Sequence, residues 1–399
     1  MKENVGMKKF LAVFFCVLLV VGFVRNGSYL QIAKYSEYLK QDSDKLASED
    51  ALTMEQIESD FSSDLFGRRQ LFDLNGSLLR GLNIKSYYSG NNIYVMDGDY
   101  IVSPSPKTST DYELKEIKNF NSFLSKHHIN LLYVNTPTKY LDDSLLTEQF
   151  GIESYCNRNA DYFLARLDEA GIANIDLRKN LKREGLNVRD LFYRTDHHWT
   201  VPAGLWASKN IAWGLNQYCG YSIDLSIYDK ENYDFRTWKN CWLGEQGKKV
   251  SAAYVGLDDY TEVTPKFDTS YTFFTDSGSV ENDFSFFIDE SLFDQNDNIY
   301  DQASWHYSYS KYKFENHNVE KGNILFLCDS FGQVTYPFLS LGVHKGKSII
   351  LRERDLHQFD LRTFILENEF DTVVVCYAPM MIGAHDNPES SNHRMFTFK

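Results

Sequence analysis

The chain has 399 residues, a formal net charge of −14 and 43% hydrophobic residues, including 29 Phe and 26 Tyr. This composition is that of a globular protein with a sizeable core, and it excludes a disordered chain. The acidic balance argues against a nucleic-acid partner, since a phosphate backbone is bound by clustered Lys and Arg.

The first predicted element is a signal anchor over residues 1–25. Three lysines and one glutamate in MKENVGMKK precede an uncharged apolar run at residues 10–24, which ends at Arg25. At about 1.5 Å per residue the run spans roughly 22 Å, less than the roughly 30 Å of a bilayer core. We favour an uncleaved anchor over secretion after signal cleavage. Either way, nearly the whole chain is predicted to lie outside the cytoplasm.

Residues 26–105 are predicted to form a lead-in that ends in a hairpin. The segment 26–75 has amphipathic helical spacing and suits either a stalk or an N-terminal helical layer. The following stretch GNNIYVMDGDYIVSP, residues 90–104, alternates apolar residues around Asp-Gly, which is a hairpin signal.

Residues 106–399 alternate between helical and strand patterns, which predicts a parallel sheet flanked by helices. The helical patterns include YELKEIKNFNSFLSKHH and PAGLWASKNIAWGLNQY, and the strands include INLLYVNTP, GNILFLC and DTVVVCYAP. An insertion at about 226–320 interrupts this pattern. Between residues 255 and 302 it holds 12 Asp+Glu and one Lys among many aromatics. Two readings stay open: a solvated acidic insertion, or a sugar-binding groove in which aromatic rings stack on sugars.

The cysteines do not predict a zinc site, because none of the six lies in a Cys-x-x-Cys pair. Cys328 and Cys376 lie in strand-like runs and are predicted to be small buried residues. A disulfide between Cys219 and Cys241 is one option for two of the others.

The stretch LFLCDSFGQ, residues 325–333, places Ser330 where an apolar strand gives way to a predicted helix. In parallel α/β sheets, sites form at the carboxyl ends of the strands. A serine there can act as a nucleophile, with nearby amides stabilising negative charge. Asp-Ser after a strand is also a frequent helix N-cap, so the pattern alone leaves both roles open.

A second stretch, YRTDHHWT at residues 193–200, concentrates an acid, two histidines and a tryptophan. It suits a metal site, a catalytic acid–histidine pair or a polar loop. Asp196 and His198 have the types required of an orienting acid and a general base for a serine nucleophile. The metal interpretation requires further ligands, and the remaining histidines form no tight motif around this one.

YRTDHHWT together with LCDSFG resembles the DHHW family, which looks related to the SGNH hydrolase-like proteins of alginate and exopolysaccharide O-acetylation. Further similar segments occur in the expected order over roughly residues 50 to 380, namely SDFSSDLFGRRQLFDLNG, VMDGDYIVSP, VNTPTKYL, KNCWLGEQGKKV and IILRERD. The resemblance implies an α/β, SGNH-hydrolase-like parallel sheet flanked by helices. It also implies circular permutation, because the Asp–His pair precedes the serine.

Carried over position by position, the resemblance implies Ser330 as nucleophile, His198 as general base and Asp196 as orienting acid. A second set is implied to contact substrate or the oxyanion: Arg352 (with Arg354 as the alternative), Tyr377, Phe331 and Gly332. One departure is that Cys328 stands where SGNH enzymes have the glycine of Gly-Asp-Ser. No isolated SGNH-type asparagine is assignable, which leaves the oxyanion site open.

The implied function is an extracytoplasmic, membrane-anchored O-acetyltransferase or acetylesterase that acts on a cell-surface or exopolysaccharide through an acetyl-serine. No metal or cofactor is required. Acetyl-CoA is cytosolic, so the resemblance implies an integral-membrane partner that supplies the acetyl group. Two alternatives belong to other classes. One is a non-catalytic carbohydrate-binding or cell-envelope assembly protein that retains the fold. The other is a metal phosphoesterase that also carries Asp-His-His.

Overall fold

The computed structural model describes residues 17, 36, 40, 68–87, 92–293, 298–355, 358–383 and 390–399. Contacts divide the chain into two compact units, Met1–Leu82 and Asn83–Lys399. In the first unit, helix α1 (Arg68–Gly81) lies within the predicted lead-in. Within the described ranges, no helix combines the length and apolarity needed to cross a membrane. The predicted anchor and most of the predicted stalk lie outside those ranges.

The second unit begins with the predicted hairpin. Strand β1 (Ser86–Tyr87) pairs with β2 (Ile93–Met96), and β2 pairs with β3 (Tyr100–Val102). The turn uses Gly98 at φ +84° and Asp99 at φ +63°, the left-handed conformations that glycine and short polar residues tolerate. The hairpin lies within the second compact unit.

A mixed eight-stranded sheet forms the centre of the second unit, in the order β5-β4-β13-β11-β12-β10-β8-β9. The first five strands run parallel, as the alternating pattern predicted. Their bounds are β4 (Asn130–Asn135), β5 (Asn174–Asp176), β11 (Asn323–Cys328), β12 (Lys345–Ile349) and β13 (Thr372–Tyr377). Within β4, β11 and β13 almost every residue is buried, because helices cover both faces of a parallel sheet.

Helices alternate with these strands along the chain. Those before the insertion are α2 (Asp111–Lys126), α3 (Ser144–Phe150), α4 (Cys156–Glu169), α5 (Leu177–Arg183) and α6 (Val201–Tyr218). Those within and after it are α7 (Glu245–Val250), α8 (Ala252–Val255), α9 (Tyr336–Leu339), α10 (Leu361–Glu367) and α11 (Ser391–Met395). The helix expected directly after Ser330 is instead a single 3-10 turn, Ser330–Gln333, followed by the four-residue α9.

The insertion extends the central sheet. Strands β8 (Tyr271–Thr275), β9 (Gly278–Asn282) and β10 (Lys313–Asn316) add antiparallel to the edge at β12. The pair β6 (Tyr233–Trp242) and β7 (Asp258–Pro265) forms a separate ribbon. Many aromatic side chains of the insertion are fully buried. They belong to the hydrophobic core and are not available to stack on sugars. Among them are Tyr260, Tyr271, Phe273, Phe287, Trp305 and Tyr309.

Cys328 and Cys376 are buried in neighbouring strands, as predicted. Cys219 and Cys241 are both free thiols, so the disulfide considered between them is absent. Cys219 follows α6, whereas Cys241 lies in the ribbon strand β6, and each is half-buried in its own surroundings.

Candidate active site

Asp196, His198 and Ser330 are hydrogen-bonded in series. His198 Nδ1 lies 2.6 Å from Asp196 Oδ1, and His198 Nε2 lies 2.6 Å from Ser330 Oγ. All three residues are buried, and Ser330 is the most accessible at 8%. The two loops that the sequence marked separately therefore meet at the carboxyl end of β11.

The loop that carries Asp196 and His198 is fixed through the buried Thr195. The backbone amide and the hydroxyl of Thr195 both donate to Asp258 Oδ2, at 2.8 and 2.7 Å. Its hydroxyl accepts from the Gly244 amide, and its carbonyl accepts from the Gly247 amide. Thr200 then caps α6, with its side chain accepting from the Ala203 amide. A segment of the insertion thus holds the loop in place.

Asp196 accepts three hydrogen bonds. They come from the His198 ring, from the His198 amide at 3.0 Å and from the Glu245 amide at 2.8 Å. Burial by itself would raise the pKa of Asp196. The charge of His198 and its hydrogen bond outweigh burial and hold that pKa well below its usual range. Because an ionised carboxylate only accepts, His198 Nδ1 carries the proton, and Nε2 is left to accept from Ser330.

The turn that carries Ser330 is organised by Asp329. One carboxylate oxygen accepts from the Phe331 amide at 2.9 Å, and the other accepts from the Ala378 amide at 2.7 Å, beyond the neighbouring strand β13. Asp329 is therefore the N-cap of the 3-10 turn. The sequence left open which role Asp329-Ser330 plays. The aspartate is the N-cap, so the serine hydroxyl is free to bond to His198.

Trp199 joins the two loops. Its indole Nε1 donates to the Phe331 carbonyl at 3.0 Å. Its fully buried ring packs edge-on against the Phe331 ring, with 5.3 Å between the ring centroids. On the other side of the turn, a Cβ at Gly204 of α6 would lie 2.1 Å from the Val334 carbonyl oxygen. Only glycine allows the helix to approach the turn so closely.

The two amides predicted to stabilise an oxyanion already have partners. The Phe331 amide donates to the Asp329 side chain, and the Gly332 amide donates to the Asp329 carbonyl at 3.0 Å. Gly332 has a steric role, since a Cβ there would lie 2.2 Å from Cys328 Sγ. Among the described residues, the Ser330 amide has no hydrogen-bond partner, so it stays a candidate donor, as expected for the amides near the nucleophile.

Arg352 lies close to the site, whereas its alternative does not. The Arg352 side chain is half-buried, with Nη1 3.7 Å from Met381 Sδ. Burial lowers the pKa of His197, and the charge of Arg352 adds to that shift. Burial raises the pKa of Asp329, and the charge of Arg352 opposes that shift. Arg354 is exposed and lies over the Phe359 ring.

Tyr377 is not brought to the site. Its side chain is fully buried, its hydroxyl donates to the Met395 carbonyl at 2.7 Å, and its ring packs edge-on against Phe396. The residue ends strand β13, as predicted, but its side chain leaves the sheet on the face covered by α11. A substrate or oxyanion role for Tyr377 is therefore wrong.

Three histidine rings pack in series at the site, each tilted against the next. His198 lies between His197, at 3.8 Å between ring centroids, and His306, at 3.9 Å. His306 comes from the insertion, and sequence reasoning missed it, because no motif surrounds it. Burial, reinforced by the charge of His198, lowers the pKa of His197 to about 3 and that of His306 well below its usual range. Both flanking rings are therefore neutral at physiological pH.

Asp196, His197 and His198 are also the one group of three metal-type ligands in the described part of the chain, with ligand atoms within 4.8 Å of one another. Both ring nitrogens of His198 are already hydrogen-bonded, to Asp196 and to Ser330. Both oxygens of Asp196 accept hydrogen bonds as well. A metal ion would have to break these bonds, so the donor set fits proton transfer better than metal binding.

Lys139, from the Pro-x-Lys turn after β4, ties the hairpin to the loop. Its buried Nζ donates to the Ile101 carbonyl at 2.7 Å, to the Arg194 carbonyl at 2.9 Å and to Gln246 Oε1 at 3.1 Å. Burial lowers the pKa of Lys139 to about 7, although Asp196 and Asp258 oppose that shift. Lys139 and His197 both line a cavity of about 330 Å³ beside the site.

Comparison with known proteins supports the fold. A family model described as "SGNH hydrolase-like domain, acetyltransferase AlgX" matches residues 96–234, which include Asp196 and His198 but not Ser330. Bacillus cereus PatB1 matches with a TM-score of 0.59 at 21% identity, over 77% of this chain and 99% of that chain. A DHHW family protein from Eubacterium siraeum matches with a TM-score of 0.57 at 15% identity, over 78% of this chain and 97% of that chain.

No curated protein matches the chain. The family model and the solved structures confirm the SGNH hydrolase-like α/β fold and the resemblance that the two motifs indicated. Since the family match ends at residue 234, the placement of Ser330 rests on the geometry of the site itself.

Proposed function

We propose that this protein is an extracytoplasmic, membrane-anchored O-acetyltransferase, or an acetylesterase, that acts on a cell-surface or exopolysaccharide through an acetyl-serine. The observation that carries the proposal is the series Asp196–His198–Ser330, with 2.6 Å at both hydrogen bonds. This arrangement matches the requirements of a nucleophile, a base and an orienting acid. The match to an acetyltransferase family model supports acetyl as the transferred group.

In the first half-reaction, His198 Nε2 takes the proton of Ser330 as Oγ bonds to the carbonyl carbon of an acetyl donor. The bond from that carbon to the leaving group then breaks, and the leaving group receives the proton from His198. Asp196, ionised because its pKa is low, stabilises the imidazolium that forms. In the second half-reaction a sugar hydroxyl gives its proton to His198 and attacks the ester carbon. Ser330 Oγ leaves and recovers that proton.

The negative oxygen formed in each half-reaction requires donors at the same end of the sheet. The Ser330 amide is one candidate, and the Arg352 guanidinium is the second. Such donors stabilise the transition state most when the site excludes water, and burial of Asp196 and His198 favours that condition here. Transferase and esterase differ only in whether a sugar hydroxyl or water reaches the acetyl-serine.

The location and partners are part of the proposal. The basic, then apolar N-terminus supports an anchor with the remaining chain outside the cytoplasm. An acetyl donor made in the cytosol then has to cross the membrane, which calls for an integral-membrane partner. The polysaccharide acceptor is expected on the same, outer side.

The test follows p-nitrophenyl acetate hydrolysis by the purified full-length protein and searches for acetyl on the Ser330 peptide by mass spectrometry. We expect turnover and an adduct, both lost in Ser330→Ala and His198→Ala. One structure of Bacillus cereus PatB1 contains a sulfonyl adduct. A sulfonyl fluoride is therefore a second probe for this protein, and we expect its adduct to be lost in Ser330→Ala. His317→Ala, at an exposed position on the insertion, is the matched histidine control.

Equal slow hydrolysis by all these proteins, without an adduct, would contradict the proposal. The alternative of a non-catalytic carbohydrate-binding protein would then be preferred. Sugar binding that survives Ser330→Ala and His198→Ala, without any turnover by the parent protein, would support that alternative directly.

A further inference from the structure

The insertion supplies a ring that packs against His198, at a tilt, from the side opposite His197. His306 lies 3.9 Å from His198 between centroids at an interplanar angle of 35°, and His197 lies 3.8 Å away at 39°. Among the described residues, His197 and His306 form no ring pair with each other, so they occupy opposite faces of His198. The central imidazole is therefore covered on both faces.

The segment that carries His306 is fixed by the same elements that fix the acid loop. Trp242 Nε1 donates to the Ala303 carbonyl at 3.1 Å, and Lys248 Nζ donates to the Gln302 carbonyl at 2.8 Å. Residues 244–247 bond to Thr195 and Asp196 on their other side. One structural block therefore sets the position of both the acid and the His306 ring.

His306 is 1% exposed, and neither of its ring nitrogens has a hydrogen-bond partner within the described part of the chain. A buried imidazole without partners is best accommodated as a neutral ring. Such a ring can act on its neighbour through its aromatic face. It blocks rotation of the His198 ring, and its π electrons stabilise the positive charge that His198 acquires during the reaction.

We propose that His306 is a positioning residue, whose aromatic ring packs against the His198 ring and holds it between Asp196 and Ser330. This inference rests on the proposed function and assigns the acidic, aromatic-rich insertion a part in the same site. It requires the ring of His306, not its nitrogens. Phenylalanine should therefore replace it, whereas alanine should not.

The first test compares His306→Phe and His306→Ala in the full-length protein, with His317→Ala as control. We expect kcat for p-nitrophenyl acetate to fall about tenfold or more in His306→Ala, with KM little changed, and to recover in His306→Phe. Equal loss in both variants would show that a nitrogen is needed, and wild-type kcat in His306→Ala would show that the ring is not. Either result would overturn the proposal.

The second test does not need turnover. The proton on His198 Nδ1, shared with Asp196, should give a downfield ¹H NMR signal that is absent in His198→Ala. We expect that signal to broaden or vanish in His306→Ala and to persist in His306→Phe. If the protein has no acyl-transfer activity, the proposed function fails while this readout still decides the role of His306. A sharp signal in folded His306→Ala would overturn it.

Discussion

Gly244 lies directly against the acid of the site, and its replacement by alanine should impair turnover while leaving Asp196, His198 and Ser330 in the chain. A Cβ at residue 244 would lie 2.4 Å from Asp196 Cβ and 2.7 Å from the Thr195 carbonyl oxygen. The backbone φ of Gly244 is −70°, which alanine adopts without strain. The predicted effect is therefore steric.

Ordinary van der Waals contact for a Cβ begins at 3.4 Å, so Asp196 has to move by the difference from 2.4 Å, about 1 Å. A misplacement of this size costs about 10²-fold in rate, or about 2.7 kcal/mol of transition-state stabilisation. Crowding at a well-packed site also lowers the free energy of unfolding by about 1–3 kcal/mol.

The assay measures kcat for ester hydrolysis by full-length Gly244→Ala and its thermal unfolding in parallel. Gly81→Ala is the matched control, because a Cβ at that helical position meets nothing within 4 Å. We expect a folded protein with kcat about 10²-fold lower and an unchanged Gly81→Ala protein. A folded Gly244→Ala protein with kcat within about twofold of the parent would refute the argument that Gly244 positions the acid.

Asp329→Ala leaves two buried amides without an acceptor and should lower the free energy of unfolding by about 2–4 kcal/mol. Asp329→Asn keeps one acceptor oxygen and should lower it by less. Equal losses for the two variants in urea denaturation would contradict this prediction. Lys139→Met removes the donor to the Ile101 carbonyl and to Gln246 Oε1, whereas the Arg194 carbonyl keeps the Ile101 amide as a partner. The free energy of unfolding should fall by about 2–3 kcal/mol, and an unchanged melting temperature would count against the role of Lys139. The folded pKa of His306 lies below the unfolded value of about 6.5, so the unfolded chain takes up a proton first and stability falls as the pH drops below about 6.5. At pH 5 this group should lower the free energy of unfolding by about 2 kcal/mol, and His306→Phe should lack that loss. Equal losses between pH 7.5 and 5.0 in the parent protein and in His306→Phe would disprove the prediction. Dialysis against EDTA should leave turnover unchanged, since both His198 nitrogens are hydrogen-bonded, and lost activity restored by a divalent metal would favour the metal interpretation.

The sequence by itself determined the elements whose formation depends on neighbouring residues. Apolar runs bounded by turns predicted the parallel strands, and helical spacing predicted α2 and α6 close to their observed bounds. The apolar strand before Ser330 placed this residue at the carboxyl edge of the sheet, and Asp196 and His198 were visible as a pair on one short loop. The roles of nucleophile, base and orienting acid came from the resemblance to the DHHW family, because the residues alone left other roles open.

Only the tertiary structure decided which groups are free to act. Tyr377 is bonded to Met395, and the Phe331 amide is bonded to Asp329, so neither serves the site as predicted. His306 joins the site from the insertion, whose strands extend the sheet. Periodicity reports which face of an element is buried. The choice of hydrogen-bond partner and the packing of rings depend on contacts between distant segments, and these form only when the chain packs.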